Sequence, residues 1–205
     1  MKRKPRARGP WFYRMAHIIV RLILFFRGLK VEDLENLPPE GGVILACNHT
    51  SYLDPPVLGS AVDRKVYFMA KSELFKIPVL GTIIRWLDAF PVIRGKPDRK
   101  AIRRAEELLA SGEVIGIFPE GTRHTTGEIG EPEPGTALIS LRTGKPVIPV
   151  AIKGTNKFPF ACIRVKIGKP LMPPETQGKK VDRNILNDFS FRIINAIDEL
   201  LKEMG

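Results

Sequence analysis

Residues 43–55 read VILACNHTSYLDP, five apolar residues that pass directly into a polar turn. A short uninterrupted apolar run is typical of a strand buried inside a sheet. In open α/β folds, functional groups lie just beyond the carboxyl ends of such strands. His49 and Asp54 occupy that position, so they are the first candidates for functional residues.

The spacing of His49 and Asp54 limits the geometry that could bring them together. Five steps around a regular helix leave two side chains about 140° apart, so the pair cannot meet on one straight helix. A strand-to-helix turn has to fold Asp54 back, and the pair Pro55-Pro56 favours a helix that begins there. A histidine oriented by a carboxylate can act as a base near neutral pH. The alternative is that Asp54 only caps a helix and His49 is a buried polar residue.

Apolar runs and amphipathic patterns alternate along the rest of the chain. This alternation predicts an α/β fold, a single domain whose largely parallel central sheet is flanked by helices. The predicted strands are Val43–Cys47, Val66–Ala70, Phe90–Ile93, Val114–Phe118 and Val147–Ile152, with an edge strand at Arg164–Gly168. The predicted helices are Pro55–Val62, Ile77–Leu87, Asp98–Ala110 and Asn184–Met204, and Leu171–Lys180 is predicted to be a loop. We expect residues 31–205 to form this α/β domain and residues 1–30 to form a separate N-terminal segment.

The N-terminal segment, residues 1–30, differs from the rest of the chain in charge. It contains nine Lys and Arg residues and no acidic residue, whereas the other 175 residues carry 24 basic and 22 acidic side chains. Its first ten residues are polar and basic, and residues 11–29 are strongly apolar apart from one polar helical stripe formed by Arg14, His17 and Arg21. The uncharged stretches here are shorter than the roughly 20 residues that a transmembrane helix needs.

Three interpretations of this N-terminal segment are open. It could form an amphipathic helix that lies in the membrane interface, with its basic residues among anionic headgroups. It could bind nucleic acid, or it could be an ordinary helix that covers the core. The wide aromatic apolar face favours the membrane interface over nucleic acid.

The composition excludes several classes of protein and several kinds of site. With 43% hydrophobic and 27% charged residues over 205 positions, the chain is typical of a folded protein and not of a disordered one. Its two cysteines, Cys47 and Cys162, do not form a disulfide framework and are expected to be small core residues. No Gly-rich phosphate loop is present, and the three histidines and two cysteines lack metal-ligand spacing. Ser51 lacks the glycine elbow expected around a serine nucleophile.

Charged residues follow three other predicted strands, just as His49 follows the strand at Val43–Cys47. Lys71 and Arg94 each lie just past an apolar run. The sequence FPEGTR, at residues 118–123, places an acid, a glycine and an arginine at a third strand end, namely Glu120, Gly121 and Arg123. Glycine permits close backbone approach, and arginine suits bidentate phosphate binding. If the strands are parallel, these ends meet at one edge of the sheet and describe a site for a phosphate-bearing substrate whose hydroxyl loses a proton.

Taken in chain order, these motifs resemble the sequence blocks of the glycerolipid acyltransferases. NHTSYLDP, at residues 48–55, resembles their His-x4-Asp block, and residues 118–123 resemble their Phe-Pro-Glu-Gly-Thr-Arg block. VIPV, at residues 147–150, resembles the fourth block. The substrate block of the lysophosphatidic acid acyltransferases is matched in spacing by Lys71, Leu74, Phe75, Gly81 and Arg94. The resemblance covers residues 31–170 and identifies the chain as a member of this family.

The resemblance implies an activity and a mechanism. The lysophosphatidic acid acyltransferases of this family transfer a fatty acyl group from an acyl thioester to the sn-2 hydroxyl of 1-acylglycerol 3-phosphate. The product is phosphatidic acid for phospholipid biosynthesis. His49 would be the general base, oriented by Asp54, and the hydroxyl would attack the thioester directly, without an acyl-enzyme. The implied substrate-binding residues are Lys71, Arg94 and Arg123 around the phosphate, with Glu120 and Gly121 either structural or in contact with the glycerol.

The resemblance also implies the partners of the chain. No metal or bound cofactor is expected, because the acyl donor, acyl-CoA or acyl carrier protein, is a substrate. The expected partners are lysophosphatidic acid, an anionic bilayer surface and acyl carrier protein, with no nucleic acid. The expected location is the cytoplasmic face of the cell membrane, peripheral or monotopic. Two alternatives stay open: an acyltransferase that acts on glycerol 3-phosphate or another lysophospholipid, and a non-catalytic protein that binds lipid or nucleic acid through its basic arm.

One position departs from the family pattern. Many relatives carry a Phe-Lys pair before the glycine that aligns with Gly135, where this chain has Pro132-Glu133. The change removes a cation and adds an acid near the expected mouth of the site. Donor preference and loop packing are the properties that we expect it to affect.

Overall fold

A computed structural model of the chain describes residues 11–26, 28–93, 95, 98–124, 129–157, 161–175 and 181–205. The helices and strands in these residues are, in chain order, α1 (Trp11–Phe26), β1 (Lys30–Glu32), β2 (Val43–Cys47), α2 (Asp54–Ala61), β3 (Val66–Lys71), α3 (Leu80–Trp86), β4 (Phe90–Val92), α4 (Arg99–Ala110), β5 (Val114–Ile117), α5 (Gly135–Thr143), β6 (Val147–Lys153), β7 (Arg164–Ile167) and α6 (Arg183–Glu203). Short 3₁₀ helices follow β1, β3 and β6, at Leu34–Asn36, Ser72–Lys76 and Thr155–Lys157.

The strands form one sheet in the order β1-β7-β6-β2-β5-β3-β4. β2 lies at its centre and pairs in parallel with β6 on one side and with β5 on the other. β3 and β4 continue the parallel part beyond β5, while β7 runs antiparallel to β6 and pairs in parallel with β1. Every residue of β2 is buried, as expected for an apolar run that is covered on both faces. The predicted α/β fold with a largely parallel sheet is confirmed.

Two apolar cores lie on the two faces of this sheet. On one face, α4, α5 and α6 pack against the strands through residues such as Leu109, Ile139 and Ile197. On the other face, α2 and one side of α1 pack through Leu58 and Leu24. Right-handed crossovers that move in opposite directions along a sheet place their helices on opposite faces. The connection through α2 runs from β2 toward β3, and the connections through α4 and α5 run back, so the helices divide as observed.

An acidic N-cap determines where α4 begins. The Asp98 side chain accepts hydrogen bonds from the backbone N–H groups of Lys100 and Ala101, two of the four that have no partner inside the helix. It also accepts from the N–H of Ile93 at 2.9 Å, which ties the helix start to the end of β4. These hydrogen bonds lower the pKa of Asp98, with the one from Ile93 contributing most. Asp182 caps α6 in the same way.

Some predicted elements differ from the structure. The strand predicted at Arg164–Gly168 is present as β7, but its predicted position at the edge of the sheet is wrong. The three-residue β1 pairs with the outer side of β7 and places it inside the sheet. Cys162 is exposed and is not a core residue. α3 begins three residues later than predicted, because Pro78 keeps the preceding residue, Ile77, in an extended conformation. β1 and α5 have no counterpart in the prediction, and of the predicted loop Leu171–Lys180 only 171–175 lies within the described residues.

The polar stripe of α1 contacts the protein. Arg21 donates to Oδ1 of Asp63 at 2.8 Å, and Nε2 of His17 lies 3.4 Å from the carbonyl oxygen of Val62. Both partners lie just past the end of α2. These two contacts hold the polar stripe of α1 against the domain, as in the interpretation of a helix that covers the core. The side chain of Arg14, like residues 1–10, lies outside the described residues.

The opposite side of α1 is apolar and exposed. Its large exposed side chains are Trp11, Met15, Ile18, Ile19, Leu22, Ile23 and Phe26. At 100° per residue they occupy an arc of about 140° around the helix axis. No helix in the part of the chain that the structure describes is both long enough and apolar enough to cross a bilayer.

Candidate active site

Polar residues collect where the parallel strands end. His49 lies just after β2, at the centre of the sheet, and Glu120 follows β5 beside it. Lys71 is the last residue of β3, and Thr155 follows β6 on the other side of β2. Since these strands run in parallel, their carboxyl ends share one edge of the sheet. This edge is the candidate active site.

His49 and Asp54 meet in the turn between β2 and α2. Nδ1 of His49 lies 2.8 Å from Oδ2 of Asp54. The turn closes through the Asp54 N–H, which donates to the carbonyl oxygen of Ser51 at 3.2 Å, and this returns the first residue of α2 to the strand end. Because a carboxylate can only accept, Nδ1 carries the proton and Nε2 is the basic nitrogen. Both side chains are buried, so the imidazole is held in one orientation.

Asp54 accepts hydrogen bonds at both of its carboxylate oxygens. Besides His49, Oδ2 accepts from the N–H groups of Thr50 and Ser51, both at 2.7 Å. Oδ1 accepts from the hydroxyl of Thr155 at 2.6 Å. These donors replace the water that the fully buried carboxylate loses on folding. These donors precede α2 or follow β6, so Asp54 orients the histidine and does not cap its own helix.

Thr155 is a site residue that the sequence analysis missed. It lies 101 residues from Asp54 in the chain, it is only 2% exposed, and its hydroxyl also lies 3.2 Å from that of Thr50. Gly154 before it has φ +92°, and a Cβ at that position would overlap the carbonyl oxygen of Cys162. A hydroxyl residue just past a buried strand is the one signal in the sequence that could have identified it.

The FPEGTR loop holds the backbone of His49 on both sides. The His49 N–H donates to Oε1 of Glu120 at 2.7 Å, and its carbonyl oxygen accepts from the N–H of His124 at 2.9 Å. The imidazole stacks on Phe118, with 4.1 Å between ring centroids. Glu120 is buried, and its Oε2 accepts from the N–H of Gly130 at 3.1 Å. Because both oxygens of Glu120 bind the protein, the contacts favour the structural one of its two predicted roles.

Asn48 fixes the end of β2 against β6. Its side-chain amide donates to the carbonyl oxygen of Ile152 at 3.0 Å and accepts from the Ile152 N–H at 2.8 Å. The side chain thus makes the pair of hydrogen bonds that another strand residue would make. It sets the position of His49, the next residue, and of the β6 end that carries Thr155.

Gly121 is required by the shape of the FPEGTR loop. Its φ is +66°, a region that favours glycine, and a Cβ there would lie 2.7 Å from Cγ of Glu133. Glu133 also donates its N–H to the carbonyl oxygen of Pro119 at 2.7 Å. The acid that departs from the family pattern therefore borders the loop that carries Arg123.

Arg123 lies over the ring of Tyr52, a residue of the turn that joins His49 to Asp54. Its guanidinium carbon is 3.5 Å from the ring centroid, and Nη2 donates to the Tyr52 hydroxyl at 2.8 Å. Both side chains are exposed. The stack places a positive charge at the mouth of the site, and the part that Tyr52 plays in it was not predicted.

Of the other two predicted cations, Lys71 lies farther along the edge. Lys71 is half-exposed, and its Nζ is 3.8 Å from Oε1 of Glu73. Because neighbouring strands are about 4.8 Å apart, the end of β3 lies about 10 Å from the end of β2. Arg94 lies outside the described residues, two positions past the end of β4.

In the described part of the chain, neither Ser51 nor Cys47 is in hydrogen-bond contact with the imidazole of His49, and no metal site is present. The hydroxyl of Ser51 accepts from the N–H of Leu53 at 3.2 Å. Burial raises the pKa of the Cys47 thiol well above its ordinary value, and the carboxylates of Asp54 and Glu120 raise it further. The thiol therefore stays protonated and unreactive. Among the residues described, no group of three or more His, Cys, Asp or Glu side chains could hold a metal ion.

Comparisons with known proteins identify the family of the chain. A family model described as Acyltransferase matches residues 28–153. The chain is 34% identical over 165 residues to the 1-acyl-sn-glycerol-3-phosphate acyltransferase of Bacillus subtilis (strain 168). This alignment covers 78% of the chain and 82% of that relative. It is 29% identical over 206 residues to the chloroplastic 1-acyl-sn-glycerol-3-phosphate acyltransferase LPAT1 of Arabidopsis thaliana, which covers 92% of the chain but only 56% of that longer protein.

A solved structure has a similar fold. It is the crystal structure of the 1-acyl-sn-glycerophosphate (LPA) acyltransferase PlsC from Thermotoga maritima, with a TM-score of 0.70 and 28% identity. The match covers 92% of this chain and 79% of that one. The family match spans β1 to β6 and includes His49, Asp54 and the FPEGTR loop. The chain therefore belongs to the acyltransferase family.

Proposed function

We propose that this acyltransferase transfers a fatty acyl group from an acyl thioester to the sn-2 hydroxyl of 1-acylglycerol 3-phosphate, which gives phosphatidic acid. Its relatives in Bacillus subtilis and Arabidopsis thaliana are named for the same acceptor. The observation that carries the proposal is the 2.8 Å contact between Nδ1 of His49 and Oδ2 of Asp54 at the end of the central strand. That contact leaves Nε2 as a positioned base for a hydroxyl.

The reaction follows from this base. Nε2 of His49 takes the proton of the sn-2 hydroxyl as its oxygen attacks the thioester carbon, and a tetrahedral intermediate forms. The carbon–sulfur bond then breaks, the thiolate takes the proton from the imidazolium, and the new ester remains. Asp54 stabilises the imidazolium between these two transfers. No acyl-enzyme is needed, which fits a site whose nearest thiol, Cys47, is protonated and buried.

Cations at the edge of the sheet hold the phosphate of the acceptor in this proposal. Arg123 is held close to the base, because it stacks on the turn that carries His49. Lys71, at the end of β3, binds the same phosphate in this proposal, and Arg94 is assigned to it by the family resemblance.

The remaining properties follow from the chemistry of the substrates. No metal or bound cofactor takes part, because the thioester is already activated, and either acyl-CoA or acyl carrier protein supplies it. The acceptor resides in a bilayer, so the enzyme works as a peripheral or monotopic protein on the cytoplasmic face of the membrane. The apolar exposed side of α1 supports such a location, because apolar side chains gain free energy at a lipid interface. Residues 1–30 serve as the membrane segment and residues 31–205 as the catalytic domain.

An acyl-transfer assay tests the proposal. Purified protein is incubated with lysophosphatidic acid, glycerol 3-phosphate or lysophosphatidylcholine, each with acyl-CoA and with acyl carrier protein as donor. We expect activity with lysophosphatidic acid and a loss of about 10²- to 10⁴-fold in His49→Ala. Asn187→Ala, at an exposed position of α6, is the control and should retain the wild-type rate. Activity that survives His49→Ala would exclude the proposed base, and a preference for another acceptor would exclude the proposed substrate.

A further inference from the structure

A second apolar surface lies at the edge of the sheet, away from α1. It is formed by five large side chains of α3 and the turn before it, between 38% and 72% exposed, which we call the α3 patch: Ile77, Val79, Leu80, Ile83 and Trp86. Gly81 is the one buried residue of α3, and a Cβ there would overlap the carbonyl oxygen of Phe75. The helix therefore sits on the preceding 3₁₀ helix through its glycine and turns its large side chains outward. A contiguous group of exposed apolar side chains on a protein surface is typical of an interaction site.

The α3 patch lies on the side of the molecule that carries the active site. α3 contacts the 3₁₀ helix at Ser72–Lys76, which begins where β3 ends, at the same edge as His49. The crossover from β3 to β4 moves along the sheet in the same direction as that from β2 to β3. Right-handed connections therefore place α3 and α2 on the same face, and α1 packs on α2. The α3 patch and the apolar side of α1 thus flank α2.

The charges around the α3 patch select the kind of partner. Lys71, Lys76 and Arg85 are all exposed beside it. Arg85 is fixed there, since it donates to the carbonyl oxygen of Phe75 at 2.6 Å. The acid among residues 71–86 is Glu73, which lies 3.8 Å from Lys71, so the segment carries a net positive charge. Apolar side chains rimmed by cations complement an anionic lipid headgroup layer over acyl chains.

We propose that the α3 patch is a second membrane-contact surface, which seats the active-site edge on an anionic bilayer together with α1. This inference rests on the proposed function, because a lipid acceptor must pass from the bilayer to His49. Contact through α1 alone leaves the domain to pivot about one helix. A second contact at the carboxyl edge fixes the distance between the headgroup layer and the base. The loss of this contact slows the reaction at a bilayer and spares the chemistry itself.

The two tryptophans of the chain allow each surface to be followed separately. Trp11 lies on α1 and Trp86 lies in the α3 patch, and the chain contains no other tryptophan. Trp11→Phe leaves Trp86 as the reporter, and Trp86→Phe leaves Trp11. With vesicles of equal parts phosphatidylcholine and phosphatidylglycerol, we expect the Trp86 fluorescence to shift to the blue and to be quenched by brominated phosphatidylcholine. Quenching of Trp11 with an unchanged Trp86 would overturn the inference.

Substitution of the patch tests its contribution. Val79→Asn with Ile83→Gln removes two exposed apolar side chains of the patch. We expect about tenfold weaker partitioning onto the vesicles. Met172→Gln with Phe191→Gln, which also removes two exposed apolar side chains but lies outside α1 and α3, is the matched control and should partition like the wild type. Equal partitioning of both double variants would contradict the proposed surface.

Two further measurements separate the other outcomes. With a short-chain lysophosphatidic acid that is monomeric in water, the patch variant should keep wild-type activity, whereas it should lose activity on vesicles. No activity of the wild type with either substrate would refute the proposed function and not the membrane contact, which the fluorescence reports independently. Light scattering that shows a dimer in the wild type and a monomer in the patch variant would assign the α3 patch to a second copy of the chain, which overturns the inference.

Discussion

The hydroxyl of Thr155 offers the most direct test of how the site is built. Thr155→Val keeps the size of the side chain and removes the donor that lies 2.6 Å from Oδ1 of Asp54. Thr155 is 2% exposed and Asp54 is fully buried, so water does not replace the lost donor. A buried acceptor without a partner costs about 1–3 kcal/mol. We therefore expect the free energy of unfolding to fall by about 2 kcal/mol.

Thr155→Val should lower kcat less than the removal of the base in His49→Ala does. Oδ2 of Asp54 keeps the N–H groups of Thr50 and Ser51, and His49 remains within its reach. The carboxylate can then rotate about its remaining hydrogen bonds, and a base misplaced by about 1 Å costs up to about 10² in rate. We expect kcat to fall between about 10- and 100-fold. The KM for lysophosphatidic acid should not change, because Thr155 acts through Asp54 and not on the substrate.

The assay compares kcat and KM of Thr155→Val with those of Thr155→Ser, alongside urea unfolding of both. Serine restores the hydroxyl without the methyl group, so it should recover most of kcat. A valine variant that is less stable but turns over at the wild-type rate would show that Thr155 serves stability alone. A serine variant as slow as the valine variant would refute the proposed hydrogen bond as the cause.

Three other residues give predictions of different kinds. Tyr52→Phe keeps the ring beneath the guanidinium of Arg123, whereas Tyr52→Leu removes it. Since an exposed cation–π contact is worth about 0.5–1 kcal/mol, the leucine variant should raise the acceptor KM about two- to fivefold and the phenylalanine variant less, with the donor KM constant in both. Glu120→Gln keeps one acceptor oxygen and so leaves the N–H of either His49 or Gly130 without an acceptor. Both kcat and the free energy of unfolding should fall, the latter by about 1–3 kcal/mol, whereas a higher acceptor KM at unchanged stability would indicate glycerol contact. Asp98→Ala should lower the free energy of unfolding by about 1 kcal/mol at pH 7. Because the pKa of Asp98 is lowered on folding, this difference should shrink as the pH falls below about 4, and a constant difference down to pH 3 would contradict it.

The elements that were predicted correctly carry local signals. The run at Val43–Cys47 is apolar at every position and the turn after it is polar, so the place of His49 at a buried strand end follows from five neighbouring residues. The start of α4 follows from Asp98 for the same reason, because an N-cap acts on the N–H groups two and three residues later. Both patterns depend only on residues that are close together in the sequence.

The parts that were missed depend on contacts between distant segments. Thr155 reaches Asp54 only because β6 pairs with β2, and Tyr52 meets Arg123 across 71 residues because β5 lies beside β2. β1 has three residues, too few to show a pattern, and its pairing is what moves β7 from the edge of the sheet to its interior. The contact of Arg21 was not predicted, because the sequence shows a polar stripe but not its partner, which is Asp63 after α2.

The site separates two tasks by burial. The network that positions the base is buried and hydrogen-bonded. Asp54 and Glu120 each contact His49, and Thr155 contacts the carboxylate of Asp54. Arg123, which we assign to the phosphate, is exposed at the mouth and stacks on a single ring. A buried network transmits the loss of one donor to the whole group, whereas an exposed cation can be lost without a change in the base. Substitutions in the first set should therefore act on kcat and on stability together, and substitutions in the second set should act on acceptor KM alone.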